Sequence, residues 1–446
     1  MPLNAREIAL KSLIAMRRDS AWSDKALNKI IGAEVPDAKD LALASQITNG
    51  VLQNRTLCDY YIRLYSSVPL RKIEPQILDI LRISFYQIIC LTKIPHSAAV
   101  NEGVKLAKKY SHQRAASYVN AVLRKLAANA GSLPKIKADS DAERLSIEFS
   151  HPLWLTEAFV QRLGYDEAAA LLTANNALSI PITAQVNTLK YTMDEVRDLL
   201  RADGIEAEVH GFLTDCLLLT GAGNIAELRA FKKGAFYVQD AAARLSVIAS
   251  GVCAGDTVID CCAAPGGKSF TTAVAMKNRG RIIALDKYEN KLRFIKEGAS
   301  RLGIDIIEAF AHDSSQFYEE FSGLADVVIA DVPCSGTGVI RKKPEIRYKA
   351  FEDIAGLPEI QKSILQNAAS YVKPGGILLY STCSLLKMEN EDVIAEFLNN
   401  NSSFALAKAE LPKSFDKDFS GEATLWPQRD DTDGFFICKM RRKNAN

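Results

Sequence analysis

The stretch that most constrains this chain is Val258–Lys268, VIDCCAAPGGK. Thr257, Val258 and Ile259 are apolar or β-branched and run into Asp260, then into a Pro-Gly-Gly turn. The small residues from Ser269 to Ala275 suit the start of a helix. A buried strand, a glycine turn and a helix N-terminus together make the ligand crevice of an open parallel α/β sheet. Gly266 and Gly267 permit close backbone approach and positive φ. The helix N-terminus offers unpaired N–H groups to a polar or anionic ligand.

Two ligand classes compete for this turn. Gly267-Lys268-Ser269 is the tail of a phosphate loop, whose first glycine would fall where the chain has Cys262. Pro265 also has no N–H to give a phosphate. A nucleoside-triphosphate site is therefore the second choice.

Strands and helices alternate through the rest of the C-terminal half. Arg281–Leu285 ends in Asp286, Ile306–Ala311 precedes His312-Asp313, Ala325–Ala330 ends in Asp331, and Gly376–Tyr380 runs into Ser381-Thr382-Cys383-Ser384. Residues at the carboxyl ends of successive parallel strands line one crevice. An acid at the end of the second strand is placed to accept hydrogen bonds from a ribose diol, which is the role expected of Asp286. Four acids at four strand ends (Asp260, Asp286, Asp313, Asp331) are too many for chance capping.

The cysteines divide by context. A free cysteine is most often a small buried hydrophobe, and that suits Cys58, Cys90, Cys216 and Cys438. Cys334 and Cys383 lie instead in Pro/Gly/Ser loops beyond strand ends, 49 residues apart in sequence. Neighbouring strands would bring them to one site, where Lys268 could favour a thiolate. None of the nine cysteines forms a C-x-x-C pair, so no metal is expected. Adjacent unpaired cysteines suit a reducing cytoplasm.

The 446 residues suggest two to three domains. No run reaches the length of a membrane span, and the N-terminus lacks a signal-peptide pattern. The net charge of +2 is unevenly spread, with +9 on residues 1–130 and −7 on the remainder. A basic front domain suggests a polyanionic partner.

Residues 1–130 read as an all-α bundle. Ile8, Leu10, Leu13, Ile14 and Met16 suit one helix face; Leu27, Ile30 and Ile31 follow, then Leu41–Leu52. Ile77, Ile80, Leu81, Phe85 and Ile88 form a helical stripe bounded by Pro75 and Pro95. Ala98–Tyr110 and Ala115–Ala127 complete the set, with Arg82, Lys105, Lys108, Lys109, Arg114, Arg124 and Lys125 expected to face outward. Residues 131–144 read as a linker. Residues 145–250 read as a small α+β module with strands at Ile182–Leu189, Ile205–Val209 and Cys216–Thr220 and a capping box at Thr192–Glu195. The α/β region occupies 251–446.

The motifs in order resemble a known family. DCCAAPGGK, the acid ending the second strand, DVPCSGTG with the trailing RKKPEIRY, KPGGILLYSTCS, ENE and DGFFICKM resemble the cytosine-C5 RNA methyltransferases of the Nop/Sun family. In the front region, REIALKSL, ITNGVLQNR, ILRISFYQI, IPHSAAVNEGVKLAKKY and YVNAVLRKL resemble a NusB-like RNA-binding domain, and that fusion resembles the Sun branch. The middle module resembles the family's RNA-binding subdomain, although Gln185 stands where many relatives have Arg.

The resemblance implies three parts: a helical NusB-like domain, a small α+β RNA-binding subdomain, and a Rossmann-like catalytic domain with a mostly parallel seven-stranded sheet. It implies S-adenosylmethionine as methyl donor and 16S ribosomal RNA, unassembled or partly assembled, as partner of a monomeric enzyme. It assigns attack on cytosine C6 to Cys383, proton removal and enzyme release to Cys334, and a hydrogen bond to the base edge to Asp331. Cys262, Ala263, Ala264, Pro265, Gly266, Gly267 and Lys268 would hold the donor's methionine part, Asp286 its ribose and Asp313 its adenine amine, with Asp331 also at the donor. Arg341, Lys342, Lys343 and Arg347 form a basic stretch suited to RNA phosphates. The competing readings are an RNA-dependent ATPase and a non-catalytic RNA-binding factor.

Overall fold

A computed structural model describes residues 3–19, 30, 37–177, 179–412, 415 and 419–444. Leu27 and Ile31 of the expected second helix lie outside these residues. Contacts divide the chain into two compact units, Met1–Asn176 with Lys342–Lys349, and Ala177–Arg341 with Ala350–Asn446.

The first unit is helical. Helix Pro75–Cys90 lies at its centre, with Ile77, Ile80, Leu81, Ile83, Phe85 and Ile88 all buried and proline at its first turn, where no N–H is needed. Helices Ala38–Gln53, Arg55–Tyr65, His96–Tyr110 and Gln113–Ala128 surround it. The approach is close: a Cβ on Gly50 would meet the Tyr86 ring at 2.0 Å. Arg82 departs from the expected outward array. It lies largely buried between Asp59 and Asp79, at 2.7 and 3.0 Å, because those carboxylates face the same helix surface. Lys105, Lys108, Lys109, Arg114, Arg124 and Lys125 are exposed. Cys90, expected inside, is exposed at the last turn of its helix.

The unit boundary falls at Asn176, inside the stretch read from sequence as the α+β module. Helices Asp141–Glu148, Leu153–Leu163 and Tyr165–Asn175 belong with the first unit. One residue shows how. Arg347 is fully buried, and its guanidinium donates to the carbonyls of Gln53, Phe149, Ser150 and Asn175 and to the side-chain oxygen of Asn176. Tyr348 adds a hydrogen bond from its hydroxyl to Leu52 O at 2.6 Å, and Arg55 stacks over its ring. The expectation that Arg347 binds RNA phosphate is therefore corrected: the side chain is buried and its two Nη groups serve carbonyl groups at converging helix ends, which need partners once buried.

The second unit holds two sheets. The smaller is antiparallel, in the order β2 (Glu206–Val209), β3 (Cys216–Thr220), β1 (Ile182–Val186), β4 (Phe236–Val238). Helix Met193–Ala202 begins with the expected capping box of Thr192 and Glu195 and buries Val196 and Leu200 against Ala184, Val186, Leu217 and Phe236. Gln185 is buried, and its amide donates to Gln239 O at 3.0 Å. It faces the interior, so this position offers nothing to RNA.

The larger sheet follows the order β10 (Phe404–Leu406), β12 (Phe435–Arg442), β9 (Val372–Thr382), β8 (Ala325–Asp331), β5 (Thr257–Asp260), β6 (Arg281–Asp286), β7 (Ile307–Ala311). That path has seven strands, and β11 (Glu422–Leu425) pairs with β12 as an eighth. Strands β9, β8, β5, β6 and β7 are mutually parallel; β12 runs antiparallel to β9. Apolar residues from both faces, such as Val258 and Ile329 on one and Ile259 and Val328 on the other, join separate cores. A parallel sheet covered on both sides leaves only its strand ends for polar side chains.

Candidate active site

The loop after β5 is built around a helix start. Gly266 has φ +114°, and a Cβ there would meet the Phe270 ring at 2.4 Å, so glycine is required by conformation and packing alike. A Cβ on Gly267 would meet nothing closer than Gln239 Nε2, at 3.4 Å. That amide nitrogen is buried and without a hydrogen-bond partner among the described residues, a donor suited to a polar ligand at the loop. Ala263 N–H donates to Leu285 O at 2.8 Å, fixing the loop to β6. Burial pushes both Cys261 and Cys262 thiols up, so neither is disposed to be a thiolate.

The strand-end acids come together as the topology requires. Asp286 Oδ2 accepts the Ala264 N–H at 3.2 Å and Oδ1 the Tyr288 N–H at 3.0 Å, with Lys291 Nζ 3.9 Å away. Asp313 is engaged by Lys287 at 2.8 Å and by the N–H and hydroxyl of Ser315, which bring its pKa down to about 2. Each carboxylate oxygen can accept a second hydrogen bond. Asp260 is buried at the end of β5 and accepts from Ser269 Oγ at 2.7 Å; burial raises its pKa to about 6. Asp331 accepts from Ser381 Oγ at 2.8 Å and pairs with Lys268 at 2.7 Å.

Cys334 and Cys383 meet beyond β8 and β9, with their sulfur atoms 3.1 Å apart. A hydrogen bond from the Cys334 thiol lowers the Cys383 pKa, and the Lys268 ammonium adds to the effect against burial and Asp331. The same hydrogen bond, then burial, raises Cys334 well above an ordinary thiol. The contact favours the thiolate at Cys383 over one at Cys334. Glu389 is a residue that local patterns do not single out. It is fully buried and bonded to the residues that follow both cysteines. The ENE motif contained it, without indicating what it touches.

The expected basic stretch does not stay together as a surface. Arg341 pairs with Asp433 at 2.6 Å and is mostly buried. Lys342 and Lys343 are exposed, and Arg347 is interior to the first unit. No group of three or more His, Cys, Asp or Glu among the described residues is arranged to hold a metal ion.

Known proteins are similar to this chain along nearly its whole length. A probable ribosomal RNA small subunit methyltransferase B from Bacillus subtilis is 37% identical, with 99% of each chain covered. Residues 251–441 match the family model of 16S rRNA methyltransferases RsmB/F. The chain belongs to the RsmB/F family. Residues 3–128 match the NusB family, and residues 151–226 match the ferredoxin-like domain of RsmF/B-like methyltransferases. A ribosomal RNA small subunit methyltransferase B from Vibrio cholerae is 29% identical, covering 91% of this chain and 90% of its own. The crystal structure of PH0851 is 29% identical with a TM-score of 0.82, covering 99% of this chain and 100% of its own. The RsmB/F match spans every strand-end acid and both loop cysteines.

Proposed function

We propose that the protein transfers a methyl group from S-adenosylmethionine to carbon 5 of a cytosine in 16S rRNA, through a covalent bond between Cys383 and cytosine C6. The observation that carries this reading is the Cys334–Cys383 pair, two loop sulfurs 3.1 Å apart beside an Asp–Lys pair, with the Cys383 thiol shifted down and that of Cys334 up. Carbon 5 of cytosine is a poor nucleophile, and addition of a thiolate at C6 makes it an enamine carbon. The donor, when bound, supplies an electrophilic methyl group. Asp331 holds the N3/N4 edge of the base and favours addition. When Cys383 adds at C6, the electron pair passes to N3, which takes the proton given up by Cys334. After methylation the Cys334 thiolate takes the C5 proton, the electron pair re-forms the C5–C6 double bond, Cys383 leaves as thiolate and N3 releases its proton.

The loop Cys262–Lys268 fits the donor's methionine part, with the unpartnered Gln239 amide nitrogen beside it. Asp286 fits the ribose diol and Asp313 the adenine amine. The ATPase reading is disfavoured because Lys268 is paired with Asp331 rather than presented to a phosphate. A base in structured RNA must leave its stack to reach these thiols. The basic surface of the NusB-matching domain supports an electrostatic hold on unassembled or partly assembled small-subunit RNA.

The test is to incubate the protein with purified small-subunit RNA and donor, then map 5-methylcytosine by bisulfite sequencing. The expected result is one bisulfite-resistant cytosine, dependent on donor. Donor-dependent labelling of the RNA without a resistant cytosine would overturn the C5 assignment.

A further inference from the structure

Glu389 closes the short turn Lys387–Glu389 and is fully buried. Its Oε1 accepts from the Ser335 N–H at 2.8 Å and from Gln361 Nε2 at 2.9 Å. Its Oε2 accepts from the hydroxyls of Ser335 and Ser384. Ser335 directly follows Cys334, and Ser384 directly follows Cys383. One carboxylate therefore grips the loops that carry both thiols.

Neighbouring contacts act in the same sense. Gln361 Nε2 also reaches Pro333 O at 2.9 Å, on the other side of Cys334. Gly338 N–H donates to Cys383 O, and Leu385 N–H to Thr337 Oγ1, each at 2.9 Å. The Tyr380 hydroxyl fixes the turn by donating to Glu389 O at 2.6 Å. These four donors to the carboxylate are neutral, and burying a charge among neutral groups is costly. Its negative charge also works against a thiolate at either cysteine. What such a carboxylate supplies is reach, with two oxygens accepting from two separate loops.

We propose that Glu389 is a positioning residue that sets the spacing of Cys334 and Cys383 by holding Ser335 and Ser384 on one carboxylate. Its consequence for turnover rests on the cytosine-C5 reading; its consequence for thiol spacing does not.

A trivalent arsenical, phenylarsine oxide, reports the spacing because it is captured only where two thiols are close. The full-length protein should capture it at this pair, and Cys383→Ser should abolish that capture. Glu389→Ala should slow capture by about tenfold or more, and should lower kcat on RNA with little change in KM, as expected when reacting groups are misplaced by an ångström. Glu389→Gln, which keeps the length and one acceptor, should recover part of both. Donor affinity in calorimetry should be unchanged in either variant. Wild-type capture in both variants would overturn the proposal, as would a loss of capture matched by an equal loss of donor binding. If the wild-type protein captures the arsenical yet methylates no cytosine, the functional reading fails, and capture in the variants still decides the role of Glu389.

Discussion

Lys268 Nζ lies 2.7 Å from Asp331 Oδ2 and 4.9 Å from the centre of the Phe435 ring. The ion pair joins the loop after β5 to the end of β8, so the expected donor and base sites share one charge pair. Lys268 favours the Cys383 thiolate and Asp331 opposes it. Lys268→Met leaves the carboxylate uncompensated. The onset of Cys383 alkylation by iodoacetamide, followed on its own peptide by mass spectrometry, should move to higher pH. An unchanged or lowered onset would contradict this electrostatic role.

The two loop cysteines should differ in kind when substituted. Cys383→Ala should lose turnover and form no covalent RNA complex, because no thioether can form. Cys334→Ala should lose turnover and accumulate a denaturation-resistant protein–RNA adduct, because release after methyl transfer is blocked. Denaturing gels with labelled RNA and donor separate the two. An adduct from Cys383→Ala alone would exchange the assignments.

Asp286 sits where a ribose diol would be read, already holding one backbone N–H of its own loop and one of the loop after β5. Asp286→Ala should weaken S-adenosylmethionine binding by about 1.5–3 kcal/mol, the scale of a hydrogen bond to a charged group. Calorimetry measures it directly. Equal affinity in the variant and the wild type would remove Asp286 from the donor site.

Asp260 should make the second unit less stable at neutral than at acid pH. Its folded pKa, about 6, lies above the ordinary carboxylate value of 3.8. Its contribution is therefore fully present below the unfolded value and is lost as pH rises through 6. The difference corresponds to about 3 kcal/mol. Ser269, Lys268, Asp331 and Cys262 face the same carboxylate. Asp260→Asn should match wild type near pH 4 and exceed it in unfolding free energy near pH 7.5. A constant difference between the two proteins across that range is the contrary result.

Arg347 should behave as a structural residue of the first unit. Arg347→Met fills most of the volume but strands the carbonyls that the guanidinium serves, costing about 3 kcal/mol or more. Arg347→Lys keeps a charge without the fork and should recover little. Chemical denaturation measures both. A denaturation midpoint equal to wild type in Arg347→Met would contradict the structural role.

Much of the site was legible in the sequence because its chemistry sits in local patterns. The strand–turn–helix at Val258–Lys268 follows from apolar residues running into Pro-Gly-Gly. The acids at 260, 286, 313 and 331 each close a β-rich run, and any open parallel sheet gathers such ends on one edge. The cysteines at 334 and 383 stand in loops where a buried hydrophobe would not be placed. Local periodicity could not show which charged groups would find partners inside. Arg82 and Arg347 read as surface cations, and Glu389 as one acid among several.

Residue types and their spacing thus determined the parallel sheet, the order of its strand-end groups and the two loop thiols. Only the tertiary structure decided that Arg347 serves helix ends rather than phosphate, that Lys268 is spent on Asp331, and that Glu389 binds the two cysteine loops together. The reason is physical. A side chain's chemistry is local, but its burial and its hydrogen-bond partners depend on chain segments brought together from far apart, such as Gln53 and Asn176 around Arg347.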